Sequence, residues 1–246
     1  IYKTGGAQAI AALSFGTQSI QKVDKIVGPG GSFVTIAKSL VSNTTSIDML
    51  AGPTELGIIA DNSADPNFVA ADLITQAEHS SETFCFLITT SLPFAKSVNQ
   101  SLIKKLKKSK RSDIVKKSLN KNGFIAVCKS DSDMIKLANK LAPEHLQIIS
   151  KNQNTIAEKI TSPGIILIGK YTPASASDYL LGSNHILPTN KFGRIRGSLS
   201  VLDFVKLGTR IESSKSSLQK LSKHLKTLTN AENLPNHYEA VRTRLE

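Results

Sequence analysis

The sequence predicts an α/β fold followed by a helical C-terminal tail, and three observations carry that expectation. In the first half, short β-prone apolar runs alternate with helical stretches, the order of a layered α/β architecture. Helix-start signals fall where the alternation needs them, at Asp65-Pro66 and at Ser130-Asp131-Ser132-Asp133. From about Ser213 the pattern is purely helical.

Each element follows from local chemistry. Ala7 to Phe15 is an Ala-rich helix closed by Gly16, and Lys25-Ile26-Val27 is a brief strand. The loop Gly28-Pro29-Gly30-Gly31 then leads into a helix from about Phe33 to Val41. Leu56 to Ala60 is a second strand. Asp65 as N-cap and Pro66 at the first helical position open a helix through Asp72 to about Glu78. Phe84 to Thr89 is a buried strand, and Pro93 to Asn120 is a basic, helix-rich stretch. Phe124 to Val127 is the next strand, and a helix runs from the Ser130 cap to Leu141. Leu146 to Ile149 and Ile165 to Ile168 complete the strand set, and the segment Gly193 to Ser200 joins them to the tail. There is no internal repeat and no long low-complexity tract.

Composition narrows the class. With 246 residues the chain can bury a core of one or two domains. Its hydrophobic and charged fractions, 40% and 20%, are those of an ordinary soluble globular protein. No run approaches the roughly 20 apolar residues that span a bilayer, so no integral membrane protein is expected. The chain starts at Ile1 without a leader pattern, which is the expectation for a processed or truncated chain. Cys85 and Cys128 both lie in apolar runs and neither belongs to a CxxC pair. They read as buried free thiols suited to a reducing cytoplasm.

A net charge of +12 has two readings. The excess concentrates in Lys104 to Arg111 and Lys215 to Lys226, and Leu218, Leu221, Leu225 and Leu228 recur at helical spacing in the latter. Solvated faces of amphipathic helices are the favoured account. Nucleic-acid binding is the other, set against the absence of Trp, of interleaved aromatics and of any recognition motif.

Five histidines occur, and three have informative neighbours. Gln76 and His79 are three apart at a helix end, so an amide oxygen and an imidazole share one face and could hold a borderline cation. Glu144-His145 follows Pro143 at a helix-to-strand connection, where a carboxylate and an imidazole could move protons near neutral pH. The bland alternative is two loop residues with no shared task. Asp178 is a hard-oxygen ligand or a helix cap, with His185 seven residues on. Glu232 and His237, five apart across Pro235, could join a polar site by folding back or by reaching a second subunit. The glycine loop could present backbone N–H groups to a phosphate, but it lacks the GxGxxG order and reads first as a turn.

The order of these pieces resembles the histidinol dehydrogenase family. The resemblance is carried by Gly5-Gly6-Ala7-Gln8-Ala9-Ile10-Ala11-Ala12-Leu13 and by Lys22 to Gly30. It continues in Ile47 to Glu55, Asp72 to His79, Ala142-Pro143-Glu144-His145-Leu146, Asp178-Tyr179, Gly182 to Thr189 and Ser198 to Phe204. It runs from the first residue to the last.

The resemblance implies incomplete Rossmann-like domains and two successive NAD-dependent oxidations, from L-histidinol through histidinal to L-histidine. It implies Zn2+ held by Gln76, His79, Asp178 and His237, the last from the partner in an intertwined homodimer. Glu144 would activate water, His145 would be the general base, and zinc would anchor the amine and imidazole of the substrate. Thr54 (usually Ser in this block), Gln76, His79, His145, Asp178, Glu232 and His237 match substrate positions, while Gln8 and Gly31 match positions near NAD. The chemistry agrees: hydride transfer needs a base for the alcohol proton, and an aldehyde becomes an acid only after water is added.

Two departures stand out. The family usually has Asn where this chain has Gly31, a contact that Ser32 or water could replace. The family is also longer at its N-terminus, so the chain is expected to be a C-terminal part. On that expectation residues 1–53 are a remnant of the NAD-binding domain, 54–195 the substrate and zinc domain, and 196–246 a helical dimerisation segment. Such a fragment alone should be a poor dehydrogenase and prone to aggregate. No nucleic acid and no membrane enter this reading. Its rivals are a zinc-dependent hydrolase using Glu144-His145, a nucleic-acid-binding protein on a degenerate enzyme fold, and a pseudoenzyme.

Overall fold

The computed structural model describes all 246 residues, in two units, Ile1–Asp203 and Phe204–Glu246. In the first unit α1 (Gly6–Phe15) and α2 (Ser32–Val41) pack with a two-stranded parallel sheet, β1 (Lys25–Ile26) and β2 (Ser46–Ile47). Ile10, Ile26 and Val41 form the small core between them.

The larger sheet contains β3 (Glu55–Ala60), β4 (Phe84–Thr89), β5 (Phe124–Val127), β6 (His145–Ile149) and β7 (Ile165–Ile168). All its pairings are parallel, in the order β5-β4-β3-β6-β7. The chain therefore builds outward from β3, then returns to lay β6 on the other side of it. That topology requires helical crossovers and covers both faces. One face packs against α3 (Pro66–Ala77), α4 (Leu92–Leu106) and α5 (Ser112–Asn122), burying Leu56, Ile58, Val69, Leu73, Leu87, Val98 and Val115. The opposite face packs against α6 (Asp131–Leu141) and α7 (Gln153–Ala157), burying Ile59, Phe86, Ile88, Met134, Ile148 and Ile156. The Rossmann-like α/β expectation holds, and β3 is buried along its whole length, apolar from Leu56 onward as expected of a central parallel strand but opened by the carboxylate of Glu55.

The caps lie where the sequence places them. Asp65 accepts from Asn67 N–H with Pro66 at the first helical position, and Ser130 accepts from Asp133 N–H. The basic stretch from Pro93 to Asn120 is two helices, α4 and α5, broken near Ser109–Arg111. Sequence reading missed β2, α7 and α8 (Ala174–Tyr179), all short. Cys85 is buried, and burial pushes its thiol up to about 12; Cys128 is half-buried, and both are free.

The second unit contains α9 (Lys215–Ala231), capped by Ser214, and α10 (Pro235–Arg242). They are joined by a Ser222–Tyr238 hydroxyl contact of 3.1 Å and by Lys226 Nζ, which lies over the Tyr238 ring 5.6 Å from its centroid. No helix is long and apolar enough to cross a membrane.

Candidate active site

Parallel sheets usually hold ligands at the carboxyl ends of their strands. Here the chemistry-bearing side chains gather at the amino ends of β3 and β6. Ala142 ends α6 in the left-handed region (φ 47°), its N–H bonded to Ala138 O, and Pro143 bars further helix, so the chain enters β6 at Glu144-His145. Gly164 lets the start of β7 lie against this turn, since a Cβ there would stand 2.7 Å from Glu144 O.

The register that pairs Leu56 with His145 sets Glu55 across from Glu144. The two exchange hydrogen bonds: Glu55 N–H donates to Glu144 Oε2 and Glu144 N–H donates to Glu55 Oε2, each at 3.0 Å. The Thr54 hydroxyl donates to Glu144 Oε2 at 2.5 Å and accepts from Gln76 Nε2 at 2.6 Å. His145 Nε2 lies 3.0 Å from Asp178 Oδ1 on α8, and His145 Nδ1 lies 3.3 Å from Glu55 O and 3.7 Å from Glu144 Oε2.

Burial sets the electrostatics. Desolvation raises the Glu144 pKa, although the neighbouring His145 and the bonds from Thr54 and Glu55 pull the other way. Glu55 is likewise raised by burial, against hydrogen bonds from Asn190 and Glu144 N–H. For His145 burial favours the neutral ring, but the Asp178 hydrogen bond and the Glu144 and Asp178 charges together outweigh it and raise the pKa. The result is a carboxyl and an imidazole, both nearly sealed from solvent, with pKa values moved toward neutrality from the acid side and upward respectively. Such a pair can hold and pass a proton.

A cleft of about 280 Å³ unites Thr54, His79, Glu144, His145 and Asp178 with His185 and the loop Gly28–Gly30. A second cleft of about 320 Å³ is lined by Gln76 and again by His79 and Asp178. The Gln76 amide NH2 donates to Thr54, so its carbonyl oxygen is the atom that could act as a metal ligand. No three His, Cys, Asp or Glu side chains converge closely enough to hold an ion by themselves. With the Gln76 oxygen as third donor, the set becomes one nitrogen and two oxygens, a combination that fits a borderline cation such as zinc.

The remaining sequence-derived residues lie elsewhere. Gln8 is exposed on α1, and Gly31 is the exposed N-cap of α2; neither lines the clefts. Glu232, the C-cap of α9, and His237, in α10, are exposed residues of the second unit.

Three residues escaped the sequence reading. Glu55 is one. The others are Lys38 and Asp48, which form a buried ion pair under the glycine loop. Lys38 Nζ donates to Gly28 O at 2.8 Å while Gly28 N–H donates to Asp48 Oδ2 at 2.8 Å, so one ion pair grips both polar groups of Gly28. Gly28 has φ +124°, a conformation that side chains resist. Lys38 falls in an amphipathic helix, where a lysine normally marks the wet face, and nothing local signals its burial.

Comparison with known proteins adds an independent line. A family model described as Histidinol dehydrogenase matches residues 1–245. The histidinol dehydrogenase of Lactiplantibacillus plantarum is 44% identical over 246 residues, covering 100% of this chain and 58% of the relative. That of Methanocaldococcus jannaschii is 43% identical, covering 100% and 57%. The crystal structure of histidinol dehydrogenase from Elizabethkingia anophelis superposes with a TM-score of 0.91 at 39% identity, over 100% of this chain and 57% of that one. The chain thus spans somewhat over half the length of these relatives.

Proposed function

The chain belongs to the histidinol dehydrogenase family, and on that premise we propose that the protein containing it oxidises L-histidinol through histidinal to L-histidine with two molecules of NAD. The observation that carries the reading is the buried Glu144-His145 pair, braced by Thr54 and Asp178 in a cleft that also reaches the glycine loop.

NAD, when bound, would accept a hydride from the reacting carbon in each oxidation. In the first, His145 would take the alcohol proton. In the second, Glu144 would take a proton from the water that adds to the aldehyde, and His145 would take the hydroxyl proton of the hydrate. One water is consumed, two NAD are reduced and three protons are released. The raised pKa of Glu144 suits a carboxylate that must accept a proton near neutrality. Thr54 fixes Glu144 Oε2, and Asp178 and the Glu55 carbonyl orient the imidazole.

Gln76, His79 and Asp178 would hold zinc, together with His237 of a second copy in a homodimer. Zinc would supply the positive charge that anchors the substrate amine and imidazole. Glu232 would contact substrate. Gln8 and Gly31 would lie near NAD; the N-terminus of α2 has no side-chain cap and no acidic residue in its first turn, which leaves it receptive to an anion. The free thiols Cys85 and Cys128 suit a cytoplasmic enzyme.

The test is histidinol-dependent NADH formation by the protein expressed from its complete coding sequence. Activity should disappear in His145→Ala and on chelation of zinc. A folded, zinc-loaded dimer that reduces no NAD would overturn the reading.

A further inference from the structure

The carbonyl of Glu55 faces the imidazole, but its side chain has none of the roles above, although it binds two other segments of the chain at the site. The residue is 9% exposed. Oε2 accepts Glu144 N–H and Oε1 accepts Asn190 N–H, both at 3.0 Å. Its own N–H donates to Glu144 Oε2, and its carbonyl faces His145 Nδ1 at 3.3 Å. Three chain segments, at positions 55, 144 and 190, therefore meet on one carboxylate.

The chemistry of the two donors explains why an acid stands there. Two backbone N–H groups from different segments converge on the side chain, and each needs an acceptor once water is excluded. A carboxylate offers two acceptor oxygens, whereas an amide offers one and would turn its NH2 against the second N–H. Leaving a second negative charge beside Glu144 is unfavourable for folding, because burial and mutual repulsion both resist it. A residue that served packing alone would be apolar.

We propose that Glu55 is a positioning residue for Glu144 and His145, locking both to the start of β3 and to the 189–190 segment so that the two act as one rigid unit. This rests on the reading of Glu144 and His145 as the reacting pair. Glu55 lines neither cleft, so its effect passes through the backbone of Glu144 and the ring of His145. A displacement of about 1 Å at such groups is enough to lower turnover by orders of magnitude while leaving the binding surfaces in place.

The test is Glu55→Gln in the protein from the complete coding sequence. The variant keeps the size of the side chain and deprives one N–H of its acceptor. Expected is a fall in kcat of at least about tenfold with KM for histidinol and for NAD within about twofold of the parent. A folded variant whose kcat stays within twofold, or whose loss lies in KM, overturns the proposal. Amide hydrogen exchange on the unaltered protein is a second readout that needs neither activity nor a foldable variant. Glu144 and Asn190 N–H should be protected as strongly as the amides of β3, and rapid exchange at either overturns the proposal. If the unaltered protein shows no histidinol oxidation, the functional reading fails, and the exchange result still decides the role of Glu55.

Discussion

Lys38 and Asp48 form an ion pair that is almost wholly buried, with side chains 4% and 1% exposed, and together they grip Gly28 by its N–H and its carbonyl. Removing one partner strands a buried charge, so Lys38→Met is expected to destabilise the protein by about 3–5 kcal/mol. Removing both charges, in Lys38→Met with Asp48→Asn, should recover most of that loss. Urea denaturation of the two single variants and the double variant gives the coupling energy. Additive losses would show that the pair does not act as one.

Thr54 is the hinge between Gln76 and Glu144, accepting from one and donating to the other. Thr54→Val keeps the shape and removes both bonds, with an expected loss of about 1–3 kcal/mol and, if Gln76 helps to hold zinc as proposed, weaker retention of the metal. Thr54→Ser keeps the hydroxyl and should remain within about 1 kcal/mol. Chelator competition alongside denaturation checks both, and equal behaviour of Val and Ser would refute the relay.

Asp72 sits one turn before Gln76 on α3, and burial raises its pKa from 3.8 to about 6, against a hydrogen-bonding influence of Gln147. The folded state therefore holds this proton more tightly than the unfolded chain. The stabilisation is complete below about pH 4 and is lost as pH rises through about 6. Asp72→Asn removes this dependence and should be more stable at pH 7, by about 1–2 kcal/mol after allowance for partial exposure. Denaturation midpoints at pH 4, 5, 6 and 7 give the curve; parallel curves for parent and variant would exclude Asp72 as its source.

Gln147 is fully buried in β6; it lies near enough to Asp72 to pull that carboxyl's pKa down, yet neither its amide nitrogen nor its amide oxygen reaches a partner at hydrogen-bond geometry. Gln147→Leu is expected to stabilise the fold by about 1 kcal/mol or more, because the unmet polar atoms leave the core. A lower melting temperature in the variant would mean that the amide is satisfied in solution.

Gly31 has φ −68° and ψ 179°, and a Cβ added there meets nothing within 4 Å. Gly31→Asn is therefore free of strain, and Asn at the N-cap should stabilise α2 by a few tenths of a kcal/mol. If Gly31 stands beside NAD, the added amide should also lower the Kd for NAD, measured by titration calorimetry. Unchanged affinity would separate this position from the cofactor.

Much of the fold was legible because its signals are local. The strands Phe84–Thr89, Phe124–Val127 and Ile165–Ile168 are short apolar runs bounded by turn residues, and their limits follow from composition alone. Asp65-Pro66 and Ser130 mark helix starts through bonds that span two or three residues. The five-residue α7 has no side-chain cap and is too short for a 3.6-residue period to show, so nothing in the sequence announced it.

The candidate site divides in the same way. Glu144 and His145 are neighbours in the chain and Gln76 and His79 are three apart, so spacing alone could pair them, although α3 stops at Ala77 and His79 lies just past its end rather than on a shared helical face. What joins those pairs is the order of strands. Glu55 and Glu144 are 89 positions apart and meet because β6 is laid beside β3 in one register. A slip of one residue would turn every side chain of β6 to the other face and dissolve the arrangement. The sequence by itself determined which residue types were available, where helices and strands begin, and that a carboxylate and an imidazole enter one strand together. Only the tertiary structure decided that Glu55 receives two amides, that Thr54 connects Gln76 to Glu144 and that Lys38 is buried against Asp48. Those facts depend on contacts between distant segments, and local propensity carries no record of which segments will be neighbours.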